Sequence, residues 1–189
     1  MSDNSSLLRN GNKILIDKEP YLILDNSFVN PGKGQAFTKV RIRNLINSKV
    51  LEKTIKIGES IQEADVINTK MQYLYKENSS FYFMNLDSYE QSEVNKSVIA
   101  DGSKWLIDGD ECDVTIWNDK IIQVDPPKFV NLIVKSTIDA IKGDTVSSTL
   151  KEAVLDNDET IMVPIFIKEG ELIRISTENS EYSSRVKHE

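Results

Sequence analysis

Residues 28–43 read FVNPGKGQAFTKVRIR and combine a lysine in a glycine turn with three further cations at two-residue spacing. In Pro31-Gly32-Lys33-Gly34 a glycine stands on each side of the lysine. Glycine permits positive φ and leaves no side-chain bulk beside Lys33, so the segment can form a thin finger with an ammonium group at its tip. An ordinary hairpin whose exposed residue is lysine has the same pattern. A phosphate-cradling P-loop does not fit, because its lysine is followed by serine or threonine and Lys33 is followed by Gly34. After the loop the alternation is strict. Thr38, Val40 and Ile42 share one strand face, while Phe37, Lys39, Arg41 and Arg43 share the other. One face can enter a core while the other presents cations.

Other reactive residue types are sparse. The single histidine, His188, lies next to the last residue and reads as part of a mobile tail, which disfavours a histidine-dependent active site. The single cysteine, Cys112, excludes an internal disulfide framework and a cysteine-based zinc cluster. It alternates with Val114 and Ile116 and reads as a small buried hydrophobe. Asp108, Asp110, Glu111 and Asp113 lack the full calcium-loop pattern and read as a solvated turn, so no metal site is expected. Trp105 and Trp117 could stack on bases, but apolar strand neighbours favour core positions. No catalytic dyad and no cofactor motif is visible.

The elements that must position the finger are mostly strands. The chain has 189 residues, 39% hydrophobic and 28% charged, and a formal net charge of −7. Charge is uneven. Residues 28–56 hold seven cations and one anion, and residues 1–65 carry a net +2 against −5 for 66–128 and −4 for 129–189. A basic block in an acidic chain is either a solvated sheet face or a docking surface for a polyanion. Any RNA contact should then be local and oriented. No apolar run reaches the roughly 18 residues of a spanning helix, and the N-terminus has no apolar signal core, so a soluble cytoplasmic protein is expected.

The strand pattern predicts Lys13–Asp17 and Tyr21–Leu24, separated by Lys18-Glu19-Pro20, then Met71–Tyr75, Phe81–Met84, Cys112–Trp117 and Ile121–Val124. Asn118-Asp119 is a hairpin turn between the last two. Phe129–Val134, Ile161–Ile167, Leu172–Ser176 and Tyr182–Val186 complete the set. Tyr89–Val98 and Gly102–Leu106 are read as short helical turns. Polar residues 58–64 and the double proline Pro126-Pro127 mark boundaries, giving three pieces of about 60 residues, the size of the smallest barrels. Pieces so small have little core, so close packing between them is expected.

These segments resemble the bacterial elongation factor P family. The likeness is carried by Pro31-Gly32-Lys33-Gly34-Gln35-Ala36-Phe37 and the cationic strand after it. It extends to Glu63-Ala64-Asp65-Val66, Met71-Gln72-Tyr73-Leu74-Tyr75, Phe83-Met84-Asn85, Tyr89-Glu90-Gln91, Val124-Asp125-Pro126-Pro127 and Lys142-Gly143-Asp144-Thr145. Near the end, Lys151, Ala153, Val163-Pro164, Gly170 and the Glu181-Tyr182 to Arg185-Val186 segment also match.

The resemblance implies an all-β chain of three small β-barrels. Residues 1–65 would form a KOW-type (SH3-like) barrel with a basic hairpin finger, 66–128 an OB-fold and 129–189 a C-terminal OB-fold, L-shaped and tRNA-like in outline. It implies a factor that binds the bacterial ribosome between the P and E sites and relieves stalling at consecutive prolines without being an enzyme. Lys33 would receive a β-lysyl group from a lysyl-tRNA-synthetase-like modifying enzyme, within a tip loop that includes Pro31, Gly32, Gly34 and Gln35. The eukaryotic and archaeal relative carries hypusine at the corresponding lysine. Lys39, Arg41 and Arg43 would contact RNA, with the P-site tRNA as partner. Gly143, Asp144 and Thr145 would lie near the E-site codon, and Arg185 on the terminal strand could reach RNA or serve packing. A monomer without cofactor or membrane attachment is expected.

Four departures from the family pattern stand out: Asn30 for a basic residue, Thr149 in a glycine-rich loop, Glu152 for proline and Asp158 for glycine. A stand-alone OB-type RNA-binding module is the alternative function. It would spread its losses over all cations, whereas the translation factor depends on Lys33.

Overall fold

A computed structural model describes residues 6–137 and 150–186. Their strands form three five-stranded sheets. Contacts divide the chain into two compact units, residues 1–70 with 114–124 and residues 71–113 with 125–189. Among the described residues no helix is long and apolar enough to cross a membrane.

The first sheet contains β1 (Lys13–Ile16), β2 (Glu19–Val29), β3 (Phe37–Asn44), β4 (Val50–Lys56) and β5 (Gln62–Glu63), in the order β4-β3-β2-β1-β5. Asp17 and Lys18 make the first turn with φ of 51° and 67°. Two left-handed residues in succession give a tight hairpin whose twist matches the strands. The break is therefore shorter than the predicted Lys18-Glu19-Pro20. Glu19 and Pro20 already belong to β2, with Pro20 opposite Leu15. Near a strand start, the lost proline N–H costs little. The Pro20 carbonyl accepts from the Leu45 amide at 2.9 Å. The core beneath this sheet is Ile14, Ile23, Val40, Ile42 and Ile55 with Leu8, Ile16 and Tyr21. Each fully buried aliphatic side chain contributes about 1.5–3 kcal/mol.

The second sheet contains β6 (Val66–Glu77), β7 (Ser80–Asn85), β8 (Gln91–Asn95), β9 (Glu111–Trp117) and β10 (Lys120–Asp125), ordered β10-β9-β6-β7-β8. The β9–β10 turn is Asn118-Asp119, with φ of 49° and 59°, as the sequence predicts. The expected helix over Tyr89–Val98 is overturned. Gln91–Asn95 pairs antiparallel with β7, and only Lys96–Ile99 makes one helical turn. Pairing with a neighbour outweighs a weak local period. Residues Ala100–Trp105 follow as a 3-10 helix.

The third sheet contains β11 (Phe129–Thr137), β12 (Leu150–Leu155), β13 (Thr160–Pro164), β14 (Leu172–Ser176) and β15 (Glu181–Arg185), ordered β13-β12-β11-β14-β15. β13 stops at Pro164, three residues before the predicted end, and leaves Ile165 and Phe166 exposed while Ile167 is buried. Trp105 is a core residue, as expected. It belongs to the same buried core as Val134, Leu155, Val163 and Ile173. Asn157 Nδ2 donates to the Lys104 carbonyl at 2.8 Å, and Lys104 pairs with Glu159 at 3.6 Å. Asp158 has φ of 65° and its carboxylate meets Lys135. The backbone there demands the left-handed conformation, which aspartate tolerates better than most residues.

One turn occurs twice. Asn44 Oδ1 accepts from the amides of Ile46 (2.8 Å) and Asn47 (3.1 Å), and the Ser48 amide donates to the Asn44 carbonyl (3.0 Å). Asn85 Oδ1 accepts from Asp87 (2.8 Å) and Ser88 (3.0 Å), and the Tyr89 amide donates to the Asn85 carbonyl (3.0 Å). The asparagine satisfies amides that a sharp turn would orphan. Position five of each turn is left-handed, with φ of 58° at Ser48 and 59° at Tyr89. Serine bears this easily, but a bulky ring is strained there. Tyr89 is exposed, so burial gives nothing back. Tyr89→Asn should raise stability by about 1 kcal/mol, read as a gain of about 2–4 °C in Tm. An unchanged or lower Tm means that the ring makes a compensating contact.

Cys112 is buried, as expected. Burial first, then Asp110, Asp113 and Asp125, push its thiol from 9.0 up to about 12. The fold thus favours the neutral thiol. Its contribution is constant below about pH 8.5, where the unfolded thiol begins to ionise, and declines from there toward pH 12. Native protein should resist a disulfide reagent at pH 8 and react with one equivalent once unfolded in guanidinium. Fast native labelling would show that the β9 core opens.

Candidate nucleic-acid interface

Two antiparallel strands carry the finger. β2 and β3 pair from Tyr21↔Asn44 to Val29↔Phe37, and β4 pairs alongside β3 from Arg43↔Val50 to Phe37↔Lys56. Residues 30–36 project past the last pair as a seven-residue loop. Gly32, Lys33, Gly34 and Gln35 are exposed and Pro31 is half-buried. The loop is tied at its exit, where Gln35 Nε2 donates to the Ile57 carbonyl at 3.3 Å and the Ile57 amide donates to the Ala36 carbonyl at 3.4 Å. Lys56 N donates to Glu59 Oε2 at 3.1 Å, which fixes the end of β4 beside it.

The two glycines differ. Gly34 has φ of 110°, and a Cβ there would lie 3.9 Å from Pro31 Cγ. Its backbone needs glycine for the chain's own turn. Gly32 is outside the left-handed region, and a Cβ there would meet nothing within 4 Å. Nothing in the chain itself requires Gly32.

Behind the loop the alternation holds as expected. Val40 and Ile42 are buried, and Lys39, Arg41 and Arg43 are exposed. The register sets neighbours beside each cation that the sequence did not reveal. Across β2, β3 and β4 the rows are Val29–Phe37–Lys56, Ser27–Lys39–Thr54, Asp25–Arg41–Glu52 and Leu22–Arg43–Val50. Lys39 stands between two hydroxyls and Arg41 between two carboxylates. Lys56, on the edge strand, adds a cation to the row nearest the loop. The signal for β4 was weak, because VLEKTIK mixes charges into its alternation.

The remaining candidates are scattered. Arg185 lies 3.5 Å from Glu171 Oε1 and its guanidinium sits 4.8 Å from the Phe166 ring centre, so it is engaged within its own unit. Gly143, Asp144, Thr145, Thr149 and His188 lie outside the described residues. Trp117 is half-buried and lines an open cavity of about 480 Å³ with Leu15, Lys18 and Gln62, so it is not a full core residue. Asp108, Glu111 and Asp113 are exposed, and burial raises the Asp110 carboxyl above its ordinary range. Among the described residues no cluster of His, Cys, Asp or Glu is arranged to hold a metal ion.

Three domain profiles match in succession. The elongation factor P KOW-like domain covers residues 4–61, the elongation factor P OB domain 66–124 and the elongation factor P C-terminal domain 130–185. This chain belongs to the elongation factor P family. The family makes it a translation factor, which implies interaction with the ribosome. The all-β architecture is thus a KOW-like domain followed by OB domains. Among solved structures, eukaryotic translation initiation factor 5A from Methanococcus jannaschii matches with a TM-score of 0.50 and 25% identity, over 61% of this chain and 87% of that one. A translation initiation factor eIF-5A family protein from Naegleria fowleri matches at 0.50 and 14%, over 62% and 92%, and its likeness is of fold alone.

The contrast between the glycines is testable by thermal melting. Gly34→Ala should destabilise by about 1 kcal/mol or more, because alanine resists positive φ. Gly32→Ala should leave Tm within about 1 °C, since neither its backbone nor its space is special. Equal losses would show that both glycines serve the turn.

Proposed function

We propose that this chain is a non-enzymatic elongation factor that binds between the ribosomal P and E sites and positions the P-site peptidyl-tRNA for peptide-bond formation. Relief of stalling at consecutive prolines is its task, and the cytoplasm its place of work. The observation that carries this reading is Lys33, exposed on a loop that clears the sheet, beside a glycine the chain does not need for itself. The proposed domains are residues 1–65, 66–128 and 129–189, with a monomer as the working form.

The chemistry suits such a task. Peptide-bond formation is performed by the ribosome, so the factor needs no acid or base of its own. Proline is a poor nucleophile, and holding the reacting ends together lowers the barrier through orientation, an effect worth several kcal/mol in general. About 1.4 kcal/mol already gives a tenfold rate gain. A β-lysyl group on Lys33, added by a lysyl-tRNA-synthetase-like enzyme, would lengthen the finger and add an amine for the RNA backbone. Of the three cations expected to contact RNA, Lys39 and Arg43 would hold the barrel's register without reading sequence, while Arg41 stands between Asp25 and Glu52. Pro31 and Gln35 set the loop, with Gln35 tying its exit to Ile57. Gly143, Asp144 and Thr145 are proposed near the codon, and Arg185 as an RNA contact only if it leaves Glu171.

Reconstituted translation of a message with consecutive prolines tests this reading, with intact-mass analysis of protein from its native source. The native protein should relieve the stall and carry added mass on Lys33, and Lys33→Ala should lose at least tenfold in stimulation while keeping its Tm. Gly32→Ala should lose activity without losing stability. If Lys33→Ala works as well as the parent, the positioning role is wrong. Losses spread evenly over Lys39, Arg43 and Lys56 instead of Lys33 would favour a general RNA-binding module.

A further inference from the structure

Alternation alone makes Lys39, Arg41 and Arg43 one continuous cationic stripe, but the register of β2 divides it. The pairing of β2 with β3 slips between Ile23 and Asp25, leaving Leu24 as an extra residue. Ile23 lies opposite Ile42 and both are buried, so this side of the slip faces the core. Without the extra residue, Leu24 would lie opposite Arg41 and Asp25 would be turned toward the core. A bulge re-aims the strand by one position, and here it delivers a carboxylate to the outer face beside Arg41. The Asn26 amide donates to Asp25 Oδ1 at 2.9 Å and orients that carboxylate at the bulge. On the other side β4 places Glu52 opposite Arg41. All three side chains are exposed.

The four rows therefore differ in charge. The rows of Lys56, Lys39 and Arg43 each carry one cation and no anion, whereas the Arg41 row carries two anions and one cation. Directly opposed residues place their Cβ atoms about 4.5–5.5 Å apart, so both carboxylates stand within reach of whatever approaches the guanidinium. Carboxylate and phosphate oxygens are all acceptors, and a phosphate arriving at Arg41 gains one attraction against two repulsions. Lys39 has hydroxyl donors on both sides, Ser27 and Thr54, which favour a phosphate. We infer that Asp25 and Glu52 exclude phosphate from Arg41, so that this face grips an RNA backbone at two separate points, Lys39 and Arg43. A rise of four residues along β3 sets those points about 13 Å apart, with the acid row between them. The inference rests on the RNA-binding reading but not on the role of Lys33. The two carboxylates determine which phosphate register the barrel accepts.

Counterion release supplies the readout. Each phosphate neutralised contributes about 0.7–0.9 to the slope of log K against log salt. The full-length protein would be titrated, by fluorescence anisotropy, against a labelled ten-base-pair RNA hairpin with a single-stranded CCA end between 25 and 200 mM KCl. Lys39→Ala and Arg43→Ala should each flatten the slope by about 0.8. Arg41→Ala should flatten it by less than about 0.3. The double variant D25N/E52Q keeps the acceptor used by the Asn26 amide. It should steepen the slope by about 0.8 and tighten binding several-fold at 50 mM, and adding Arg41→Ala should abolish that gain. The inference is overturned if Arg41→Ala in the parent flattens the slope as much as Lys39→Ala, if D25N/E52Q leaves it unchanged, or if the parent shows no salt-dependent binding. Failure of Lys33→Ala to affect translation would leave this readout untouched, so the two readings fail separately.

Discussion

The register of β3 is the constraint on which the candidate interface depends. Val40 and Ile42 are buried while Lys39, Arg41 and Arg43 are exposed. Because side chains alternate with a period of two, a slip of one residue would drive three cations into an apolar core. Each would cost several kcal/mol without a partner. Burial of the aliphatic face thus fixes the cationic face without any specific contact among the cations. The same pairing fixes where β2 and β3 end, and so where residues 30–36 leave the sheet.

Local turn chemistry supports that register. Asn44 is the buried polar residue at the far end of β3. Its Nδ2 donates to Glu19 Oε2 at 2.6 Å while its Oδ1 accepts from the amides of Ile46 and Asn47. It closes β3 at the end away from the loop, as Gln35 and the Ile57–Ala36 hydrogen bond do near the loop. β3 is thus anchored at both ends, while the segment around Lys33 is left bare. Gly34 serves the chain's own bend, whereas Gly32 leaves room beside Lys33.

Much of the fold could be read directly. Val130, Leu132 and Val134 alternate cleanly and form a strand, and Asn118-Asp119 made a recognisable hairpin turn. The misreadings share a cause. β4, β5, β8 and β12 are edge or mixed-polarity strands whose sequences lack a clean period, and their pairing partners decide them. Gln91–Asn95 is a strand because β7 offers it unpaired backbone groups, not because of its own composition. Trp117 looked like Trp105 in sequence, yet one is half-buried beside a cavity and the other lies within a core. Burial of a tryptophan depends on what is packed over it, and that is non-local information.

The sequence by itself determined the glycine-flanked Lys33, the alternation of β3, the absence of a histidine or cysteine apparatus and, through ordered motifs along most of its length, the family. These are local properties, carried by residue type and spacing along one strand. Only the tertiary structure decided which residues flank each cation. A bulge at Leu24 and the pairing of β4 place Asp25 and Glu52 on either side of Arg41. Lateral neighbours in a sheet belong to different strands, and their alignment follows from hydrogen-bond register across loops. Spacing along the chain carries no record of it, so an even row of cations in the sequence becomes an uneven one in the fold.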